Sequence, residues 1–136
     1  MASETIIKGE IACLKVELRA YEKGAIVSKP SIECRYDRVI DIDGRLYRTQ
    51  IKYANGKSSH AEGAVTARLL GTTRNGKKLY YSDLEIDALL VYIPKIDKIC
   101  WFDKKIFTGK GILNIRIQPT KNCQVKGCLM ANEYFW

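Results

Sequence analysis

"CRYDRVIDIDGRLYRTQIKYA", residues 34–54, decides how the rest of the chain is read. On both sides of Asp43-Gly44, apolar and polar residues alternate with the period of two that sends successive side chains to opposite faces of a strand. Asp-Gly supplies the two positive-φ positions of a tight hairpin turn. The stretch therefore predicts a β-hairpin with strands near 34–42 and 45–53. Counting outward from the turn, Asp37 and Gln50 fall nearly opposite one another, while Gln50 and Lys52 share a face. One carboxylate, one amide oxygen and one ammonium are thus expected on one side of a twisted ribbon. Such a trio can hold a divalent cation through Asp37 and the Gln50 oxygen, with Lys52 placed to orient water or steady developing negative charge. A polar pair at i and i+2 is also what the solvated face of a half-buried sheet looks like, and spacing alone leaves both readings open.

Upstream, residues 3–23 read as a helix with Ser3 at its start and Gly24 as its stop. Ile7, Ile11, Leu14, Leu18 and Tyr21 recur at spacings of four and three and form one apolar stripe, the face expected to lie on a sheet. "AIVSKP" reads as a short strand ended by Pro30. Downstream, "AVTARLL" (64–70), "ALLVYIP" (88–94), "KICWF" and "ILNIRIQ" read as strands, the second buried on both faces. "GTTRNGKK" (71–78) is a basic turn with a second hairpin signal at Asn75-Gly76. "YSDLEID" (81–87) suggests a brief helix capped by Ser82 and Glu85, and "DKKIF" a turn of helix. One helix followed by a mixed sheet with small helical additions makes an α/β or α+β fold, and 136 residues suit a single domain, 1–136.

The 23 Lys and Arg against 15 Asp and Glu leave a net charge of +8, which makes nucleic acid the first partner to consider. The five cysteines lack Cys-x-x-Cys spacing and there is one histidine, His60, so a zinc site is not expected. Cys34 and Cys100 lie in strand-like runs and are expected to be buried. Cys123 and Cys128 are close in sequence without the pattern of a disulfide framework, and the thiols indicate a reducing, intracellular setting. No apolar run is long enough to cross a membrane, and no secretion signal is evident. His60 beside Ser58 and Ser59 lacks the partners a hydrolase triad needs.

"YDRVIDIDGRLYRTQIKYA" resembles the metal-binding core of the PD-(D/E)XK nuclease superfamily, with Tyr36 at the proline position, Asp37 as the aspartate, and Gln50-Ile51-Lys52 as the triplet. Glutamine in the triplet is similar to the branch of cyanobacterial-type group I intron homing endonucleases. "KGEIACLKVELRAYEKGAIVSKP", "LYYSDLEIDALLVYIPKIDKICWF" and "IRIQPTKN" extend the similarity over nearly the whole chain. The resemblance implies an α/β restriction-endonuclease-like core, an N-terminal helix packed on a mixed central sheet with hairpin extensions. It implies a site-specific, metal-dependent DNA endonuclease that leaves a double-strand break, with Mg²⁺ or Mn²⁺ held by Asp37, Gln50 and the Ile51 backbone carbonyl, and Lys52 assisting water attack. Holliday junction resolvases share this core, and a DNA-binding module with its chemistry lost is a further alternative. Related nucleases carry a glutamate four residues after the glycine of a "KG" pair; counted from Lys8-Gly9, that position is Cys13, a poor magnesium ligand. Glu10 is expected to supply the helix carboxylate instead, with Glu17 as the other candidate.

Double-stranded DNA is the implied partner. Lys57, Arg68, Arg74, Lys77 and Lys78 are the basic candidates around the 55–63 loop and the 71–78 turn, read as the tip of a long ribbon, and Lys121, Asn122 and Gln124 follow in "QPTKNCQVKG". The aromatic "ANEYFW" end fits packing on the core or a subunit contact. The resemblance also implies a homo-oligomer, dimer or tetramer, so that two sites face one duplex. Its location would be cytoplasmic and nucleoid-associated, or a plastid in a eukaryotic host.

Overall fold

The computed structural model describes residues 1–55, 63–119 and 128–136. Helix α1 (Glu4–Glu22) begins at Ser3, whose hydroxyl accepts from the Ile6 amide at 3.3 Å, and ends before Gly24, which takes φ 80°. Strand β1 (Ile26–Ser28) pairs antiparallel with β2 (Arg38–Ile42), and β2 with β3 (Arg45–Tyr53). The turn between β2 and β3 has Asp43 at φ 53° and Gly44 at φ 87°, as expected of its Asp-Gly pair. The first hairpin strand is shorter than 34–42: regular pairing begins at Arg38, and the chain before Asp37 leaves the sheet.

Next come β4 (Ala64–Arg68), the two-residue strands β5 (Gly71–Thr72) and β6 (Lys78–Leu79), and β7 (Ala88–Ile93). The chain then forms β8 (Lys98–Phe102), α2 (Lys104–Phe107), β9 (Ile112–Arg116) and β10 (Leu129–Met130). The central sheet runs β1-β2-β3-β7-β8, with β3 and β7 parallel and the other neighbours antiparallel. A second sheet, β10-β9-β4, covers one of its faces and α1 the other. All six residues of β7 are buried, so its continuous apolar run is explained by layers on both sides. Leu90 and Tyr92 join Ile40 and Ile51 beneath α1, whereas Leu89, Val91 and Ile93 join Val65, Leu113 and Ile115 beneath the second sheet.

Four expectations change. The face of α1 on the sheet is Ala12, Cys13, Val16 and Ala20, and the Ile7-to-Tyr21 stripe points outward. Small side chains let the helix lie close to the strands, so the bulkier stripe is left outside. Cys34 is exposed because its segment has left the sheet, while Cys100 is buried as expected. Residues 81–87 make a turn without a helix: the Glu85 and Ile86 amides donate to the Ser82 carbonyl, and Arg35 engages the Glu85 side chain at 3.0 Å, removing it from any reciprocal cap. The β5–β6 ribbon is short, with two residues per strand.

The aromatic end closes the edge of β8. The Trp101 amide donates to the Tyr134 carbonyl and the Trp136 amide to the Ile99 carbonyl, both at 2.9 Å. Tyr134 packs on Phe102 and Trp136 on Trp101, with ring centroids 4.8 and 5.3 Å apart. Pairing in this way hides donors and acceptors that an edge strand otherwise exposes. Among the described residues, no helix is long and apolar enough to cross a membrane.

Candidate active site

The opening hairpin places its polar residues where β2 and β3 part. The Asp37 amide donates to the Thr49 carbonyl at 2.8 Å, and the Asp37 carboxylate then takes up the Ile51 amide at 2.8 Å through Oδ2. A side chain thus continues the ladder for one more step after the main chain of residues 34–36 has departed. The pairing of Arg38 with Thr49 sets Asp37 beside Gln50. Ile51 joins the core under α1, so Gln50 and Lys52 face the other layer.

Gln50 is buried, and its Nε2 donates to the Arg35 carbonyl at 2.6 Å. Because a carbonyl can only accept, this bond fixes the amide orientation and leaves Oε1 as the acceptor end. An extended residue sends its N–H and C=O to the same strand edge, so the Ile51 carbonyl also lies on the edge that Asp37 occupies. Lys52 reaches the Tyr81 ring, with Nζ 5.4 Å from its centroid, and the Arg35 guanidinium lies over the same ring at 4.2 Å.

Burial pushes the Asp37 carboxyl above its ordinary range, against the opposing pull of the Ile51 amide and the Lys52 and Arg38 charges. A group held this way gains from a nearby cation more than a solvated carboxylate does. Oxygen donors from Asp37, Gln50 and Ile51 suit a hard divalent ion. Among the described residues, no group of three or more His, Cys, Asp or Glu converges as a metal cluster, so this donor set relies on an amide and a carbonyl beside its acid.

On the helix side, Arg38 is buried and gathers the acids. Its Nε donates to Glu17 Oε1 at 2.6 Å, its Nη2 lies 3.9 Å from Glu10, and its Nη1 donates to the Asp37 carbonyl oxygen at 2.7 Å. Both candidate helix acids are therefore drawn to a guanidinium. Cys13 is buried beside them, and desolvation raises its thiol to about 11, which keeps it protonated and unsuited to a hard cation.

Arg68 ends β4, while Arg74, Lys77 and Lys78 ring the β5–β6 turn. All four are exposed, and none forms an ion pair among the described residues. Lys57, His60, Lys121, Asn122, Gln124 and Cys123 lie outside the described residues. Sequence reasoning missed Arg35, Arg38 and Tyr81. Arg38 carried a signal, since it shares the period-two face of Ile40 and Ile42, where a cation requires a buried partner. Arg35 and Tyr81, forty-six residues apart in the chain, carried none.

An N-terminal helix on a mixed sheet, with an aspartate and an x-Lys strand at the point where two strands separate, defines an endonuclease fold. The PD-(D/E)XK endonuclease family model matches residues 3–135, and the chain belongs to that family. Among solved structures it is similar to the bacterial homing endonuclease I-Ssp6803I, with a TM-score of 0.77 and 25% identity over 98% of this chain and 89% of that one. MepB aligns with a TM-score of 0.42 and 13% identity, over 83% of this chain and 85% of that one. No curated protein matches the sequence.

Proposed function

We propose that the chain is a metal-dependent DNA endonuclease of the intron-homing type, cutting both strands of a specific site by phosphodiester hydrolysis. The observation that carries this reading is the meeting of Asp37, Gln50 and Lys52 at the parting of β2 and β3, in a chain similar to a bacterial homing endonuclease. Asp37, Gln50 Oε1 and the Ile51 carbonyl would hold Mg²⁺ or Mn²⁺, with Glu10 supplementing them from the helix. The ion when bound supplies Lewis-acid polarisation of the phosphodiester and lowers the pKa of a water. The Ile51 amide fixes the rotamer of Asp37, Arg35 fixes the amide of Gln50, and Tyr81 supports the stem and charge of Lys52. Lys52 contributes a fixed positive charge where the phosphoryl oxygens become more negative. Arg68, Arg74, Lys77 and Lys78 contact backbone phosphates, which position the duplex without reading its sequence. Cutting two strands calls for two copies of the site, hence an assembly of chains.

One observation favours a second reading, a DNA-binding module on the same scaffold: Arg38 engages Glu10 and Glu17, the acids available to replace Cys13. Incubation with Mg²⁺ or Mn²⁺ and linear duplex, plasmid or four-way junction separates the possibilities. The expected result is cutting of duplex, lost in Asp37→Asn and Lys52→Ala while binding persists. Cutting of junctions alone indicates a resolvase, and tight binding without hydrolysis by any divalent ion overturns the enzymatic reading.

A further inference from the structure

Two arginines hold the turn of residues 80–87 against the candidate site. Arg48 grips its far end. The Asp87 carboxylate accepts from the Arg48 amide, Nε and Nη2 at 2.9, 3.0 and 3.1 Å, and the Leu84 carbonyl accepts from Nη1 at 2.8 Å. The Asp87 amide returns a bond to the Arg48 carbonyl at 2.8 Å. Arg48, Gln50 and Lys52 stand on one face of β3 by its period of two, so the turn is fixed to the strand that carries the site. Arg35 grips the rest of the turn. Its Nε donates to Glu85 Oε2 at 3.0 Å, its Nη2 to the Tyr80 carbonyl at 3.2 Å, and its guanidinium covers the Tyr81 ring. Glu85 stands between Leu84 and Asp87, the two residues that Arg48 holds, and is thereby a fixed anchor for Arg35.

Arg35 is also the residue whose main-chain carbonyl takes up Gln50 Nε2 at 2.6 Å. Residues 34–36 belong to no strand, and the ladder to β3 starts with the Asp37 amide, so sheet pairing does not place that carbonyl. Tyr36 packs on the core on one side of it, and the Arg35 side chain ties the residue itself to the turn. We infer that Glu85 is a positioning residue for the metal site. By holding the Arg35 guanidinium, it keeps the Arg35 carbonyl against Gln50 Nε2, so that Gln50 presents its oxygen and not its nitrogen to a cation. The two ends of a side-chain amide are alike in size, and the partner of one end decides which end faces the site. A reversed amide would offer N–H donors, which repel a cation. Groups that orient a ligand from outside the ligand set tune metal affinity in this way. The inference rests on the reading of Asp37, Gln50 and Ile51 as ligands, and it is tested by ion binding and spectroscopy without cutting.

Titration of Mn²⁺ into the full chain without DNA, followed by the electron paramagnetic resonance of the free ion, reads affinity directly. Glu85→Ala is expected to weaken binding about 3–30-fold. Its urea midpoint is expected to stay near that of the wild type, because the two side chains are 36% and 39% exposed and such a pair adds little to stability. Glu85→Gln retains an oxygen for Arg35 Nε and is expected to bind as the wild type does. In a Gln50→Glu background, Glu85→Ala is expected to change nothing, since a carboxylate offers oxygen at either end. In the metal-free protein, the Gln50 side-chain amide protons are expected to be protected from exchange in the wild type and Glu85→Gln, and to lose that protection in Glu85→Ala. Wild-type Mn²⁺ affinity or an unchanged Gln50 amide in Glu85→Ala overturns the role of Glu85. So does a Glu85→Gln variant as weak as Glu85→Ala, which makes charge the cause, or an equal loss in the Gln50→Glu background. Equal Mn²⁺ binding by the wild type and Asp37→Asn overturns the metal site instead, while the Gln50 amide still reports whether Glu85 holds it.

Discussion

Arg38 ties the helix to the site: its guanidinium donates to Glu17 Oε1 at 2.6 Å and to the Asp37 carbonyl oxygen at 2.7 Å. One side chain thus joins the middle of α1 to the backbone of the acid that ends the hairpin ladder. Removing one partner of a buried pair leaves the other charge without compensation. Glu17 keeps some contact with water, which lessens that penalty. Arg38→Met is therefore expected to lower stability by about 1–3 kcal/mol in urea unfolding. Combined with Glu17→Gln, the loss is expected to fall short of the sum of the two, which a double-mutant cycle reads directly.

Asp37 is expected to be a destabilising residue that the site retains. Its folded pKa is raised by burial, so the folded state holds the proton more tightly than the unfolded chain does. The favourable contribution is fully present below the unfolded value of 3.8 and is lost as pH rises through the higher folded value. Asp37→Asn is thus expected to be more stable than the wild type at neutral pH, by about 0.5–2 kcal/mol, with the gap closing below pH 3.8. Added Mg²⁺ is expected to raise the Tm of the wild type and leave that of Asp37→Asn unmoved, because only a native state that binds the ion is stabilised by it. Equal responses of the two proteins would place the ion elsewhere.

Tyr81 lies under two cations, Arg35 at 4.2 Å and Lys52 at 5.4 Å. An aromatic face under an ammonium contributes about 0.5–2 kcal/mol, and more as water is excluded. Tyr81→Leu is expected to slow cutting about 3–30-fold by freeing Lys52. Tyr81→Phe, which keeps the ring, is expected to cut at nearly the wild-type rate. A phenylalanine variant as slow as the leucine variant would show that the hydroxyl, and not the ring, is what matters.

The basic end of the β5–β6 ribbon is expected to act through phosphates. Replacing Arg74, Lys77 and Lys78 singly with alanine should weaken DNA binding to a similar extent on every sequence tested. Each should reduce the slope of log affinity against log salt by about 1. A change of preferred target sequence with the slope unchanged would instead make that residue a base reader.

Much of this architecture follows from local rules. The hairpin was legible because alternation and an Asp-Gly turn fix pairing and register together, and register carries Asp37 to Gln50. The run from Ala88 to Ile93 was legible as a doubly covered strand because nothing in it tolerates water. Gln50 and Lys52 share a face for the same period-two reason. Cys34 misled because its run looks like strand, yet the Asp37 carboxylate ends the ladder and releases the chain before it. Ser82 and Glu85 have the spacing of a cap, but Arg35, far away in sequence, competes for the glutamate.

What the sequence determined by itself was everything governed by neighbours along the chain: helix ends, turn chemistry, strand alternation and the face on which each polar residue stands. Only the tertiary structure decided which of two apolar faces of α1 meets the sheet. Both faces satisfy the helical period, and the choice depends on how closely helix and strands can approach. Ala12, Cys13, Val16 and Ala20 allow that approach, and the larger Ile7, Ile11, Leu14, Leu18 and Tyr21 do not. The same fit brings Glu17 onto Arg38, a contact set by the distance between layers, which no spacing along the chain encodes.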